Sequence, residues 1–308
     1  MPELPEVETI KDHLEELVVG AEVERAEVLY RNLVEQPSVE EFERRLSGVK
    51  VTGARRRAKH LIVGLDSGGS LVLQLKIGGQ LLLVPPVEEP TKNLMLILHL
   101  DGDRKGGSAP ETSPDNCCAE PPLRLFLRDE TEFTRARLLD EQELRERLSG
   151  LGPEPFSEEF TTGYLNGKIG SRRAQIKSLL LNQKVVAGIG NIYMDEILFD
   201  ARLHPRRKAN TLTDEEWTAL HRAIRKNLAA GIEHRGTTVR LYFDVLGRPG
   251  DHQNHLRVFE KDGELCPGEC GGKVVREKVG GRATHYCPAC QSEDGPGGDG
   301  RLELKLEM

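Results

Sequence analysis

Four cysteines near the end of the chain, Cys266, Cys270, Cys287 and Cys290, are spaced C-x3-C and C-x2-C with sixteen residues between the pairs. Two close thiol pairs on one short segment are the donor set of a tetrahedral four-sulfur zinc site on two knuckles. The chain opens on acidic residues and lacks a basic signal-like start, so such pairs read as metal before disulfide. The segment has little apolar content of its own, and the metal must supply much of its folding energy. Between the knuckles, KVVREKVGGRATHYC reads as a β-hairpin turning at Gly280-Gly281, with Arg282 at its tip. Such a ribbon either touches nucleic acid or only stabilises its domain, and the spacing leaves both open.

The first residues, MPELPEVETI, offer a second chemistry. With Met1 removed, Pro2 carries a secondary α-amine whose ordinary pKa, near 8, lies about two units below that of lysine. An unprotonated amine attacks an aldehyde-level sugar carbon and forms an iminium, which acidifies the neighbouring C–H. Glu3 beside it would serve as general acid if burial raised its pKa. The alternative is ordinary helix-start composition, with proline and glutamate in a first turn. In NQKVVAGIGNIYMDEILF (182–199), glycines precede Asn191 at a helix start, which suits either a bound phosphate or a tight turn between helices.

These residues need elements to carry them. PEVETIKDHLEELVVG has helical apolar spacing and stops at Gly20. From Val23 to about Leu139, runs such as KHLIVGL, GSLVLQLKIG, NLMLILHL and LRLFLRD predict an antiparallel β-sandwich. The organisation expected is a β-sandwich domain over 1–145, with a low-complexity insertion at about 101–122 that holds Cys117 and Cys118. A hinge follows over 146–160 around LGPEPF. A helical domain occupies 161–255, with helices at Thr161–Asn166, Ser171–Leu181, Asn191–Ala201 and Asp214–Glu233, the last capped by Thr213 and Glu216. A zinc finger occupies 256–291, and a disordered tail 292–308.

The chain has 308 residues and a net charge of −7, which by itself argues against a polyanionic partner. The distribution reverses that. Residues 161–290 hold 21 Lys+Arg against 14 Asp+Glu, a net of +7, whereas the other residues, with 22 basic and 36 acidic, carry −14. One stretch can therefore present an anion-binding face. No apolar run approaches the roughly 20 residues of a membrane span, so a soluble cytoplasmic protein is expected.

Taken together, PELPEVET, RRAKHL around Lys59, LGPEPFSEEF, NQKVVAGIGNIYMDEILF, RGTT at 235–238 and the cysteine module resemble, in order and over nearly the whole chain, the formamidopyrimidine-DNA glycosylase/endonuclease VIII family. The start resembles its formamidopyrimidine branch. The resemblance implies an α+β multidomain fold: an N-terminal helix with the β-sandwich, a helix–two-turn–helix domain and a four-cysteine zinc hairpin. It implies a bifunctional DNA glycosylase/AP lyase of base-excision repair, acting on formamidopyrimidine- and 8-oxoguanine-type lesions in damaged double-stranded DNA. Pro2 would be the Schiff-base nucleophile, Glu3 the proton donor, Lys59 the donor for β-elimination, and Arg282 the residue serving δ-elimination. Glu6 would lie in the lesion pocket, Lys177 and Asn191 would grip phosphates, and Arg172, Arg240 and Phe133 would contact DNA. One structural zinc ion, no organic cofactor, no membrane, a monomeric state and a nucleoid-associated cytoplasmic location complete the expectation.

The chain departs from that pattern where the family fills the gap left by a flipped base. Ile77 stands for the usual methionine, and DETEFT (129–134) for DPRRFG, so Thr131 replaces an arginine and Glu132 adds negative charge. Thr91 stands where a histidine is usual. Arginine reads a base edge through paired hydrogen bonds, so these changes leave two alternatives: endonuclease VIII-like excision of oxidised pyrimidines, or a damaged-DNA-binding protein without catalysis.

Overall fold

The structure, a computed structural model, describes residues 1–85, 92–101 and 123–294. The expected insertion with Cys117 and Cys118, Thr91 and nearly all of the tail lie outside them. The chain divides into two compact units, Met1–Leu151 with Ala229–His255, and Gly152–Leu228 with Leu256 onward. The stretch 161–255, expected as one helical domain, is thus shared between the units.

In the first unit, α1 (Leu4–Leu17) starts with Pro5 in its first turn and buries Leu4, Val7, Ile10 and Leu14 on one face. Each such side chain contributes about 1.5–3 kcal/mol on leaving water, before the entropy cost. The chain then builds β1 (Glu22–Val28), β2 (Val34–Gln36), α2 (Val39–Leu46), β3 (Val49–Arg57), β4 (His60–Leu65), β5 (Ser70–Gln74), β6 (Gly79–Val84), β7 (Leu94–Asp101), β8 (Leu123–Asp129), β9 (Arg135–Leu139) and α3 (Glu141–Leu148). The strands form one hydrogen-bonded sheet in the order β2-β9-β5-β4-β3-β1-β7-β8-β6. All neighbours are antiparallel except the short edge pair β2 and β9. Strand β1 joins two halves: Glu22 and Val23 pair with β3 as well as β7, and a bulge follows between Val23 and Arg25. Leu61, Leu71 and Leu73 of one half share a core with Leu83, Leu98 and Leu125 of the other and with α1, so the curved sheet buries its apolar face as a sandwich does.

One helix, α2, interrupts the region read from the sequence as strand only, and α3 follows its last strand. Ser38 accepts a hydrogen bond from the Glu41 amide at the start of α2, and Asp140 and Glu143 form a reciprocal box at the start of α3.

The second unit contains α4 (Thr162–Ile169), α5 (Ile176–Leu180), α6 (Asn191–Asp200) and most of α7 (Asp214–Glu233), then the hairpin β10 (Val275–Val279) and β11 (Arg282–Tyr286). Thr213 and Glu216 cap α7 as expected. The helix expected over Ser171–Leu181 is only α5. Residues 172–176 instead run alongside 207–210, with bonds from Ile176 N to Arg207 O and from Asn210 N to Arg172 O. Gly152 N donates to Gln183 O, and a Cβ on Gly152 would meet Val185 at 2.6 Å, so LGPEPF is docked backbone from its glycine onward. Among the described residues no helix is long and apolar enough to cross a membrane.

Candidate active site and nucleic-acid interface

The first unit gathers its candidates around the start of α1. Pro2, Glu3 and Glu6 are all buried. One carboxylate oxygen of Glu6 accepts the Glu3 amide at 2.7 Å, and the other accepts the Thr237 amide at 2.7 Å. The RGTT loop that supplies Thr237 is built for that approach. Gly236 has φ +81, and a Cβ there would lie 2.8 Å from Glu6 Cγ. Glycine alone satisfies both constraints.

Lys59 is the second residue of a two-residue turn between β3 and β4, where Arg57 pairs with His60. Ala58 before it holds φ +55, in a region that L-residues avoid. Lys59 is 7 % exposed. The charges acting on the Met1 α-amino group are Glu3, Glu6, Lys59 and Asp129, which places these residues around one point. Burial lowers the pKa of that amine below its ordinary value, Lys59 adds to the lowering, and the three carboxylates oppose it.

Asp129 organises the DETEFT loop. One of its oxygens accepts the Thr131 amide and hydroxyl, both at 2.7 Å, and the other the Thr134 amide and hydroxyl at 2.8 and 2.6 Å. Burial alone would raise the pKa of this carboxyl; the four hydrogen bonds overcome burial and hold it below the usual range. The Gly78-Gly79 pair lets the β5–β6 connection press against the loop, because a Cβ at either position would come within 2.5 Å of Asp129 Oδ1 or Thr134 Oγ1. Ile77 and Phe133 are left pointing outward, 60 % and 61 % exposed. The Thr131 hydroxyl is already donated to Asp129, so no cation is presented at that position. Arg240 is exposed on the loop after RGTT.

In the second unit the sequence-based expectation for Lys177 requires correction. Lys177 is 0 % exposed, and its Nζ lies 2.5 Å from Asp195 Oδ1 and 2.7 Å from Thr284 Oγ1. An ammonium so enclosed does not grip a phosphate; it ties α5 to α6 and β11. The other oxygen of Asp195 accepts the His285 amide at 2.8 Å. Asn191, one helical turn earlier, donates to Ala283 O at 2.9 Å, so one face of α6 holds β11 by two points. The hairpin turns at Gly280-Gly281, both with positive φ, and Arg282 is exposed at the first position of β11. Arg172 is exposed between α4 and α5.

The four cysteine sulfurs lie within 4.8 Å of one another. Cys266 and Cys290 sulfurs are 3.6 Å apart and those of Cys270 and Cys287 3.5 Å, against the ~3.8 Å edge of a tetrahedron of about 2.3 Å zinc–sulfur bonds. The donor set fits zinc. The backbone before this module is held by Glu196, whose Oε1 accepts three successive amides, Arg257, Val258 and Phe259, at 3.1, 2.9 and 2.9 Å.

Sequence reasoning missed Asp195, whose signal was its position four residues after Asn191, and the role of Asp129 as loop organiser.

Comparison with known proteins agrees with this geometry. Three family models match: the formamidopyrimidine-DNA glycosylase N-terminal domain over residues 1–109, its H2TH domain over 151–242, and a zinc finger found in FPG and IleRS over 263–292. The formamidopyrimidine-DNA glycosylase of Carboxydothermus hydrogenoformans is 40 % identical over 291 residues, covering 94 % of this chain and 100 % of the relative. That of Roseiflexus sp. is 40 % identical over 292 residues, with the same coverage. Among solved structures, a complex of Lactococcus lactis Fpg with an abasic-site-containing DNA superposes with a TM-score of 0.82 at 31 % identity, covering 94 % of this chain and 99 % of that one. A complex of a Lactococcus lactis FPG mutant with Fapy-dG-containing DNA gives 0.83 at 31 % identity, over 94 % and 100 %. The chain belongs to the formamidopyrimidine-DNA glycosylase family.

Proposed function

We propose that this chain is a bifunctional DNA glycosylase/AP lyase of base-excision repair that works through the amine of Pro2. The observation that carries the reading is the burial of Pro2 next to Glu3 and Glu6 at the amino end of the chain, where Glu3, Glu6, Lys59 and Asp129 all act on the α-amine of Met1.

After removal of Met1, the Pro2 nitrogen lone pair attacks C1′ of the damaged nucleotide. The glycosidic bond breaks and the base leaves with a proton that Glu3 delivers; the C1′–O4′ bond then opens, O4′ takes the proton released by the proline nitrogen, and an iminium joins C1′ to the protein. The iminium acidifies the C2′ hydrogen, and elimination expels the 3′-phosphate and then the 5′-phosphate. Lys59 assists the first elimination and Arg282 the second. Neither C1′ nor the base is reachable inside the stack, so the nucleotide is extruded; Phe133 and Ile77 occupy the gap, and Glu6, fixed by two amides, lines the lesion pocket. Asn191, Arg172 and Arg240 contact the backbone of a damaged duplex. One structural zinc is held by Cys266, Cys270, Cys287 and Cys290, and the enzyme acts as a monomer in the cytoplasm, associated with the nucleoid.

Borohydride reduction of the iminium on an 8-oxoguanine duplex should give a covalent adduct on the Pro2 peptide, and Pro2→Gly should reduce it by about 10²-fold or more. Undiminished trapping in that variant would refute the mechanism. The Thr131 hydroxyl bonded to Asp129 supports a second reading, excision of oxidised pyrimidines with little regard for the opposite base. Cleavage rates on thymine glycol, formamidopyrimidine and 8-oxoguanine duplexes separate the two.

A further inference from the structure

Beside Met1, the first unit has an open depression of about 420 Å³ between the β5–β6 connection, β9 and α3. Among the described residues four cations line it, Lys76, Arg135, Arg137 and Arg147, with Glu35 the one carboxylate. Its formation follows from strand geometry. Arg135 and Arg137 alternate along β9 and so share a face, and Arg135 pairs in register with Gln74, two residues before Lys76. The exposed side chains Ile77 and Phe133 stand on its rim.

Charge of one sign in a concave site raises the local concentration of an opposite ion, and here the cations outnumber their partner. Glu35 pairs with Arg137 and, at 3.6 Å, with Arg135. Among the described residues no carboxylate pairs with Lys76 or Arg147. Arg137 is 7 % exposed, yet its Nη1 is buried without a hydrogen-bond partner among the described residues. A guanidinium nitrogen left so carries a desolvation cost that an incoming anion would offset. Burial, then Arg135 and Arg147, lower the pKa of Lys76, which reports the same crowding of positive charge.

We propose that this depression is a phosphate subsite of the DNA groove, in which Lys76, Arg135, Arg137 and Arg147 take a backbone phosphodiester beside the lesion and Glu35 holds its place in the free protein. The proposal rests on the glycosylase reading and adds a site to it. The neighbouring DETEFT loop offers Thr131 and Glu132 to DNA and brings no positive charge, so neutralisation of the backbone at this rim falls to the cluster.

The test is equilibrium binding of the full chain to a duplex bearing a tetrahydrofuran abasic-site analogue, over a series of KCl concentrations. Each phosphate neutralised contributes about 0.9 to the slope of log affinity against log salt. Lys76→Gln/Arg147→Gln should lower that slope by about 1 to 2 and weaken binding roughly 10-fold at ~0.1 M salt. Glu35→Gln, which removes the resident anion, should tighten binding about threefold or more. Both variants alter half-buried or exposed side chains, and unchanged thermal unfolding checks that the fold is intact. A double variant with the parent's slope, or a Glu35→Gln variant that binds more weakly, overturns the subsite while leaving the glycosylase reading untouched. A parent chain that ignores the duplex at every salt concentration overturns both.

Discussion

Each unit of the molecule encloses one lysine that resemblance would assign to DNA chemistry, and the two are mounted in opposite ways. Lys59 sits in a two-residue turn after Ala58 at φ +55, and its charge acts on the amino end of the chain. Lys177 lies inside α5 with no exposure, bonded to Asp195 and Thr284. A turn places a side chain where a substrate atom can come; a helix interior closed by a carboxylate does not. A lysine in a motif is therefore assigned a role by its partner and its mount, and the sequence shows neither directly.

The comparison breaks most visibly at Lys59. Lys59→Met should slow strand cleavage at an abasic site by about 10²–10⁴-fold, the range lost with a positioned proton-transfer group, and rapid-quench gel assays read that directly. Unaltered cleavage would reduce Lys59 to a structural residue like its counterpart. Lys177→Met should act on stability instead, costing about 3–5 kcal/mol, because Asp195 would remain as a buried carboxylate without its cation. Urea denaturation measures the loss. Adding Asp195→Asn should restore part of it, since the charge goes while the amide oxygen still accepts from His285; a fully additive double variant would show that the two residues are not coupled.

The next effect concerns the residue after Lys59. Burial first of all, then the positive charges of Arg147, Lys76 and Arg57, lower the pKa of His60 to about 4, against the opposing hydrogen bond to Arg57 O. The unfolded value is near 6.5. The folded chain thus favours the neutral ring, so its contribution is fully present above pH 6.5 and is lost as pH falls from there through about 4. Between pH 6.5 and 5 the loss is about 2 kcal/mol, a window above the range in which carboxylates titrate. His60→Gln should flatten the stability–pH curve in that window; a parallel curve in the variant would place the titration elsewhere.

Much of this was legible before the structure. Thr213 and Glu216 marked the start of α7, Gly280-Gly281 marked the hairpin, and the cysteine spacing marked the metal donors, because caps, type I′ turns and ligand sets are local in sequence. What escaped was of two kinds. Helix α2 had a legible S-x-x-E start but stood among strands and was absorbed into the β pattern, and the D-x-x-E start of α3 lay past the last strand, in a stretch divided between the sandwich domain and the hinge. Residues 172–175 and the fate of Lys177 depended on partners far along the chain, Arg207 and Asn210 for one and Asp195 and Thr284 for the other. The basic depression escaped for the same reason: its cations come from β9, a strand connection and α3, and only the register of β5 with β9 brings them together.

The smallest effect tests whether the strained turn under Lys59 serves the lysine. Ala58 is 1 % exposed at φ +55. Glycine there would relieve about 1 kcal/mol of left-handed strain. It would also give up a buried methyl worth about 0.8 kcal/mol and add freedom to the unfolded chain. These contributions nearly cancel, so Ala58→Gly should leave stability within about 1 kcal/mol of the parent, by the midpoint of urea unfolding. Cleavage at an abasic site should still fall several-fold, because a turn free to visit other conformations holds the ammonium less firmly, and misplacement by about 1 Å is costly to a reacting geometry. If the variant cleaves at the parental rate, Ala58 is an accident of packing and Lys59 is held by its own contacts alone. If the rate falls and Ala58→Ser, which keeps a Cβ and the strain, restores it, the backbone of this turn is part of the catalytic arrangement.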